Sequence, residues 1–328
     1  MDQLIEKFPA QLVEALEIGE AATINPHTEE INKVFVAGLG GSGIGANFVA
    51  SFVRDECSIP YTVGKSYTIP KFVDKNTLAI ASSYSGNTEE TLAAFQEMMK
   101  TGAKLVVVSS GGKLIELAKE NGYDYITMPD DWPSPRACLG YSLVQQLFVL
   151  RKLGFISNES ILSIKSSIDL IKYNQEEIKE EAKKVADFLH GKLPIIYSED
   201  RIEPVAVRFR QQINENAKQL CWHHVIPEMN HNELVGWKLE DEQFAVVYLR
   251  NADDYSRNQV RMDINKKIIG KLTPNILEIH SKGKNLVERS IYLVHLVDWV
   301  TWYLSVHRNM DSIEVDVIDY LKSELSKI

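Results

Sequence analysis

Along this chain, short apolar runs alternate with longer stretches in which apolar residues return every three or four positions. Residues 1 to 22 carry Leu4, Ile5, Phe8, Leu12, Ala15 and Leu16 as a rough stripe, which predicts a leading helix bent or interrupted at Pro9. Asn25-Pro26 marks a break. Strands are then expected at Val34 to Ala37, Tyr61 to Val63, Leu78 to Ser82, Leu105 to Ser109 and Tyr125 to Thr127. Helices are expected between them at Ile44 to Val53, Glu89 to Lys100 and Lys113 to Glu120, with a further helix over Ala137 to Leu153. Such alternation argues a parallel sheet covered by helices on both faces.

Leu153-Gly154-Phe155-Ile156 closes that unit. Residues 157 to 190 show no strong strand and read as a helical bridge, with Ile178, Ala182, Val185, Ala186 and Leu189 on one face. A second alternation follows. Its strands are expected at Pro194 to Tyr197, His223 to Ile226, Phe244 to Leu249 and Ile276 to Ile279, and its helices at Glu203 to Leu220, Ser256 to Ile269 and Leu286 to Arg308. Val315 to Ile328 reads as a short amphipathic tail helix, with Val317, Ile318, Leu321 and Leu325 apolar and able to pack on the second domain. The expected fold class is therefore α/β, two doubly wound parallel-sheet domains in tandem. The first spans 1–154 with the leading helix; the second spans 155–328 with bridge and tail.

The glycines separate the two halves. Val34-Phe35-Val36-Ala37 runs into five glycines in eight residues, Gly38 to Gly45, with Ser42 among them. A buried strand that ends in such a loop brings bare backbone close to a ligand, and amides at the start of the following helix suit an anion. Ser82-Ser83-Tyr84-Ser85-Gly86-Asn87-Thr88-Glu89-Glu90 is a second such loop. The second domain has Tyr197-Ser198-Glu199-Asp200 in the equivalent place, so the anion belongs to the first domain and the second should lend side chains.

Composition narrows the classes. The chain has 328 residues, enough for two ordinary domains, with 45% hydrophobic and 25% charged residues. A formal charge of -9 without a basic run argues against nucleic acid or an anionic membrane as the main partner. Cys57, Cys138 and Cys221 are few and widely spaced, which with no apolar leader or membrane-length run points to a reducing cytoplasm.

Gly38-Leu39-Gly40-Gly41-Ser42-Gly43 matches the GxGxxG pattern of dinucleotide sites. That reading also needs an acid at the end of the second strand, where Tyr61-Thr62-Val63-Gly64-Lys65-Ser66 has none. Phosphate held by hydroxyls and amides explains the residues better: Gly41 and Ser42 in one loop, Ser83, Ser85 and Thr88 in the other. Thr88 with Glu89-Glu90 also reads as a helix start.

GLGGSGIG and SYSGNTEET resemble the sugar isomerase (SIS) domain, a flavodoxin-like fold. The pairing with a second, degenerate copy resembles the bifunctional phosphoglucose/phosphomannose isomerases. The likeness extends through Pro135-Arg136, Gln212 to Lys218 (QINENAK), Asn230-His231-Asn232-Glu233 and Ile318-Asp319-Tyr320-Leu321-Lys322. The resemblance implies an aldose–ketose isomerase that interconverts glucose 6-phosphate and fructose 6-phosphate through a cis-enediol(ate), with mannose 6-phosphate as a further substrate. It implies Glu215 as the base, Arg136 as the cation facing the enediolate, His231 as a ring-opening group and Lys322 as its helper. It also implies a homodimer with His231 donated across the interface, and neither cofactor nor metal.

The residues themselves fit those roles. The helix before Lys218 puts Ala206, Phe209, Ile213, Ala217 and Leu220 on one face and Gln211, Glu215 and Lys218 on another. Pro133-Ser134-Pro135 stiffens the loop that carries Arg136, whose fixed charge suits an enediolate. A histidine titrates near neutrality, as ring opening requires. Ile318 and Leu321 should pin the helix that carries Lys322. The approach Asp311 to Val317 departs from the proline- and threonine-bearing stretch expected there, which leaves the mannose activity open. His223 and His224, adjacent in a strand, point to opposite faces and make no metal set with His231 and Glu228. Two other readings use the same loops: a sugar-phosphate sensor with the catalytic set idle, and an SIS isomerase for another sugar phosphate.

Overall fold

The computed structural model describes residues 1–327. The chain forms two compact units. The first takes Glu6–Tyr173 with Gly283–Ile291; the second takes Met1–Ile5, Asn174–Lys282 and the chain from Tyr292 onward. The division falls at Tyr173 rather than at Gly154, because part of the helical bridge packs back on the first unit.

The leading stripe forms two helices, α1 (Asp2–Glu6) and α2 (Phe8–Ala21), with Pro9 in the first turn of α2, where its missing N–H costs nothing. The first sheet contains β1 (Lys33–Ala37), β2 (Tyr61–Gly64), β3 (Thr77–Ser82), β4 (Lys104–Ser109) and β5 (Asp124–Thr127), all parallel in the order β2-β1-β3-β4-β5. Its helices are α3 (Gly40–Val53), α4 (Glu89–Met98), α5 (Gly112–Asn121), α6 (Leu139–Lys152) and α7 (Glu159–Tyr173). On one face Phe35, Ala79, Ala81 and Val107 pack against Phe95, Met98 and Leu114 of α4 and α5. Their strand neighbours Val34, Val36, Ile80 and Val106 are equally buried, so both faces are covered, as an all-parallel sheet requires. Helix α3 packs on α6, and α7 packs on α2 and α6.

The second unit contains α8 (Gln175–Leu189), β6 (Leu193–Glu199), α9 (Glu203–Ala217), β7 (Trp222–Ile226), β8 (Phe244–Arg250), α10 (Ser256–Ile269) and β9 (Ile276–His280). It also takes most of α11 (Leu286–His307) and all of α12 (Asp316–Leu325). Its sheet is parallel in the order β7-β6-β8-β9. Ile195, Tyr197, Val246, Tyr248, Met262 and Ile269 form a core on one face. Both sheets thus start at an inner strand, β1 or β6, and grow to either side of it. The crevice at such a reversal, beyond the carboxyl ends of the strands, is where ligands bind in open α/β sheets.

Three expected boundaries move. Helix α3 begins at Gly40 rather than Ile44, so the glycine loop is itself the first helical turn. The helix expected from Ala137 opens as a 3₁₀ turn, Pro135–Cys138. Helix α9 stops at Ala217, because Lys218 turns left-handed at φ 52°. Among the described residues no helix is long and apolar enough to cross a membrane.

Candidate active site

In the first unit the loops that leave β1 and β3 stand side by side, since those strands are hydrogen-bonded neighbours. The β1 loop enters α3 within three residues, Ser42 and Gly43 both donating N–H to the Leu39 carbonyl. Ser42 is 6% exposed. Gly41 meets the 3₁₀ turn: a Cβ there would lie 3.3 Å from the Pro135 carbonyl oxygen and 3.7 Å from the Arg136 Cα. A side chain there would press on the Pro135 carbonyl, so the glycine eases this close approach of the two segments. The chain thereby brings Arg136, itself buried, to the glycine loop.

The β3 loop is held by a neighbouring turn. The Ser110 N–H and hydroxyl both donate to the Tyr84 carbonyl, at 2.9 and 2.6 Å, and Leu114 N–H donates to the Gly86 carbonyl at 3.1 Å. Gly86 has φ +67°, and a Cβ on it would fall 1.8 Å from the Gly111 carbonyl oxygen. Thr88 occupies the N-cap of α4, yet its side chain caps nothing. Its Oγ1 lies 2.8 Å from Ser83 Oγ. The pair therefore presents two linked hydroxyls before a helix N-terminus, each able to turn its proton toward an acceptor. Ser85 is exposed and Thr88 half-buried, while Ser83 is 2% exposed. The expected phosphate set thus divides into two reachable hydroxyls, Ser85 and Thr88, and two enclosed ones, Ser42 and Ser83. Glu89 and Glu90 occupy the first turn of α4, as expected.

The second unit carries the other candidates. Glu215 sits half-buried in the last turn of α9. Two ties fix that end. Lys218 Nζ donates to the Glu215 and Glu314 carbonyls, both at 2.7 Å, and Arg308 Nε donates to the Ala217 carbonyl at 2.8 Å. Deeper in the helix, Arg208 makes a two-pronged ion pair with Asp298 of α11 at 3.0 and 2.6 Å, and Asn216 Nδ2 donates to Thr301 Oγ1 at 2.9 Å. Burial raises the Asp298 carboxyl above its ordinary pKa, with Arg208 pulling it back. Helix α9 is thus clamped to α11 over the two turns that lead to Glu215. His231 ends the 3₁₀ turn Glu228–His231 and is exposed.

Lys322 is also exposed, 3.9 Å from Asp319 one turn back. The expectation that Ile318 and Leu321 pin its helix is corrected: α12 has no buried residue, and the two are 38% and 57% exposed. Amphipathic spacing made the helix without supplying a surface for its apolar face within its own unit. His223 and His224 have local partners: Arg210 Nε donates to His223 Nδ1 at 3.2 Å, and Val225 N–H donates to His224 Nδ1 at 2.8 Å.

One cation near the glycine loop escaped the sequence reading. The Cε of Lys65, the residue after β2, lies 3.5 Å from where a side chain on Gly43 would begin. The signal was its position, directly past the second strand, where a dinucleotide site would carry a carboxylate.

Residues 178–325 match the family model described as the bacterial phospho-glucose isomerase C-terminal SIS domain. The chain is 40% identical to the bifunctional phosphoglucose/phosphomannose isomerase of Caldicellulosiruptor bescii, over 100% of this chain and 99% of that protein. It is 36% identical to the protein of the same name from Aquifex aeolicus, over 90% of each. Among solved structures, the C-terminal domain of glucosamine-fructose-6-phosphate aminotransferase from Francisella tularensis superposes with a TM-score of 0.76 at 11% identity, over 94% of this chain and 96% of that one. At that identity the likeness is one of fold.

Proposed function

The chain belongs to the bifunctional phosphoglucose/phosphomannose isomerase family, and on that premise we propose that it interconverts the 6-phosphates of glucose and mannose with fructose 6-phosphate by proton transfer between C1 and C2. The observation that carries this is the identity of 40% across the whole length, spanning both phosphate loops and the segment with Glu215. The phosphate rests on Ser85, Thr88 and the amides at the start of α3 and α4, with Ser42 and Ser83 behind them. The uncapped Thr88 hydroxyl supports this, since a residue serving only its helix would bond back to it.

His231 and Lys322 assist ring opening. Glu215, as the carboxylate, then takes the proton from C2 of the open-chain aldose while the carbonyl oxygen at C1 gains one, forming a cis-enediol. The same proton returns to C1 as the hydroxyl on C2 gives up its own and becomes the ketose carbonyl. Arg136 holds the oxygen charge that develops between these steps. No net electron leaves the sugar, so the balance calls for no redox cofactor. The working unit is a homodimer in which His231 of one copy serves the other. His231 is exposed on its own unit, which is compatible with donation.

The test is Glu215→Gln, assayed with coupled turnover of both aldose phosphates and with deuterium exchange from solvent into fructose 6-phosphate. The variant should bind substrate and lose both turnover and exchange by about 10²–10⁴-fold, the range of general acid–base catalysis. Near wild-type kcat would remove Glu215 from the role of base.

A further inference from the structure

The proposed phosphate site is built from neutral donors: hydroxyls of Ser42, Ser83, Ser85 and Thr88, and backbone N–H groups. A sugar phosphate carries close to two negative charges at neutral pH. The chain as a whole is acidic, with a formal charge of -9. Arg136 also approaches this loop, but the proposed mechanism assigns its charge to the enediolate, so a dianion held by neutral groups on an acidic protein calls for a second cation within reach of the loop.

Lys65 meets that need by geometry. Strand β2 is paired with β1 in a register that sets Gly64 beside Ala37, and Gly38 N–H donates to the Gly64 carbonyl at 3.2 Å. Lys65 therefore leaves the sheet at the level of Gly38, the first residue of the glycine loop. Its side chain runs along that loop, with Cε 3.5 Å from the side-chain position that Gly43 leaves vacant. The ammonium is one bond further. In open α/β sheets the residue just past the strand beside the glycine-loop strand reaches whatever lies over the loop; dinucleotide sites place there an acid for ribose hydroxyls, or an arginine nearby for a 2′-phosphate. A lysine at that place selects an anion.

We propose that Lys65 is a substrate-binding residue whose ammonium neutralises the phosphate seated on the glycine loop. This rests on the reading of the two loops as a phosphate site but not on Glu215 as base. Lysine serves as a point charge here and needs no planar fork, so an arginine should replace it well. Being present for substrate and transition state alike, it acts on binding rather than on the chemical step.

The experiment compares Lys65→Met and Lys65→Arg with the parent, and with Glu215→Gln as a turnover-dead background. K65M should raise KM for fructose 6-phosphate about 10–100-fold with kcat within about threefold, and flatten the fall of kcat/KM with ionic strength. The inhibition constant of inorganic phosphate should rise by the same factor, while K65R stays within about threefold of the parent in both. In the E215Q background, K65M should abolish the rise in melting temperature given by inorganic phosphate, a readout that needs no catalysis. Unchanged KM and unchanged phosphate inhibition in a folded K65M protein would overturn the proposal. So would a loss confined to kcat, because the charge would then act on the reacting carbons and not on the phosphate. Loss of activity in E215Q with phosphate binding intact bears on the base alone and leaves Lys65 to be decided by the binding arm.

Discussion

Asp298→Ala tests what holds Glu215 in place. Arg208 and Asp298 join α9 to α11 through two short bonds, and both side chains are almost fully enclosed, at 3% and 9% exposure. Gln212, with its amide oxygen turned to the guanidinium, accepts from both terminal nitrogens of Arg208 at 3.2 and 3.0 Å. Removing the carboxylate takes from the enclosed Arg208 guanidinium the charged partner that makes both of these bonds. Breaking one side of such a pair costs about 3–5 kcal/mol, against a total domain stability of about 5–15 kcal/mol. Four of the five tryptophans, Trp222, Trp237, Trp299 and Trp302, lie in the second unit, so urea unfolding followed by tryptophan fluorescence reports on it. With a slope of about 2 kcal/mol per molar, the midpoint should fall by roughly 1.5–2.5 M. The paired replacement Arg208→Met with Asp298→Leu should recover most of that loss, because neither residue then carries a desolvated charge. A cost under about 1 kcal/mol for D298A, or a double variant no more stable than the single one, would refute the argument. The first result would mean that the pair is solvated; the second, that the geometry and not the charge is what matters.

Two further outcomes follow from buried groups. Burial, reinforced by the nearby Glu199 carboxylate, raises the Asp254 pKa to about 7, with the Asn251 N–H bond and Arg250 opposing. A carboxyl raised in the fold contributes stability that is full below its unfolded pKa of about 4 and is lost as pH rises through 7. Asp254→Asn should flatten that decline, on the order of 4 kcal/mol, and leave the variant more stable than the parent at pH 8; an unchanged slope in urea titrations at pH 5 and 8 would refute it. Gly86→Ala forces a left-handed alanine whose Cβ would lie 1.8 Å from the Gly111 carbonyl oxygen. It should cost roughly 2–4 kcal/mol and raise KM for sugar phosphate by displacing Ser85 and Thr88, whereas wild-type KM and melting temperature would show that the turn yields freely.

Periodicity and glycine placement were enough to locate both sheets and nearly every helix. The inner strands β1, β3, β4, β6 and β8 are short apolar runs buried on both faces, and most helices show their stripe locally, so no distant contact is needed to read them. Thr88, Glu89 and Glu90 likewise announced a helix start from neighbouring residues alone. Four matters lay beyond the one-dimensional pattern. Arg136 meets Gly41 only because a 3₁₀ turn nearly a hundred residues later packs against the start of α3. Lys65 reaches Gly43 only because β2 pairs with β1 in one register, and a slip of one residue would turn it to the other face. Helix α7 joined the first unit because its apolar face found α2 and α6. Lys322 stands on a helix that the sequence describes correctly, but amphipathicity states only that a face wants cover, not which surface supplies it. Local bonding and burial period are written in neighbouring residues; which distant side chains converge is decided by packing, and chemistry depends on that convergence.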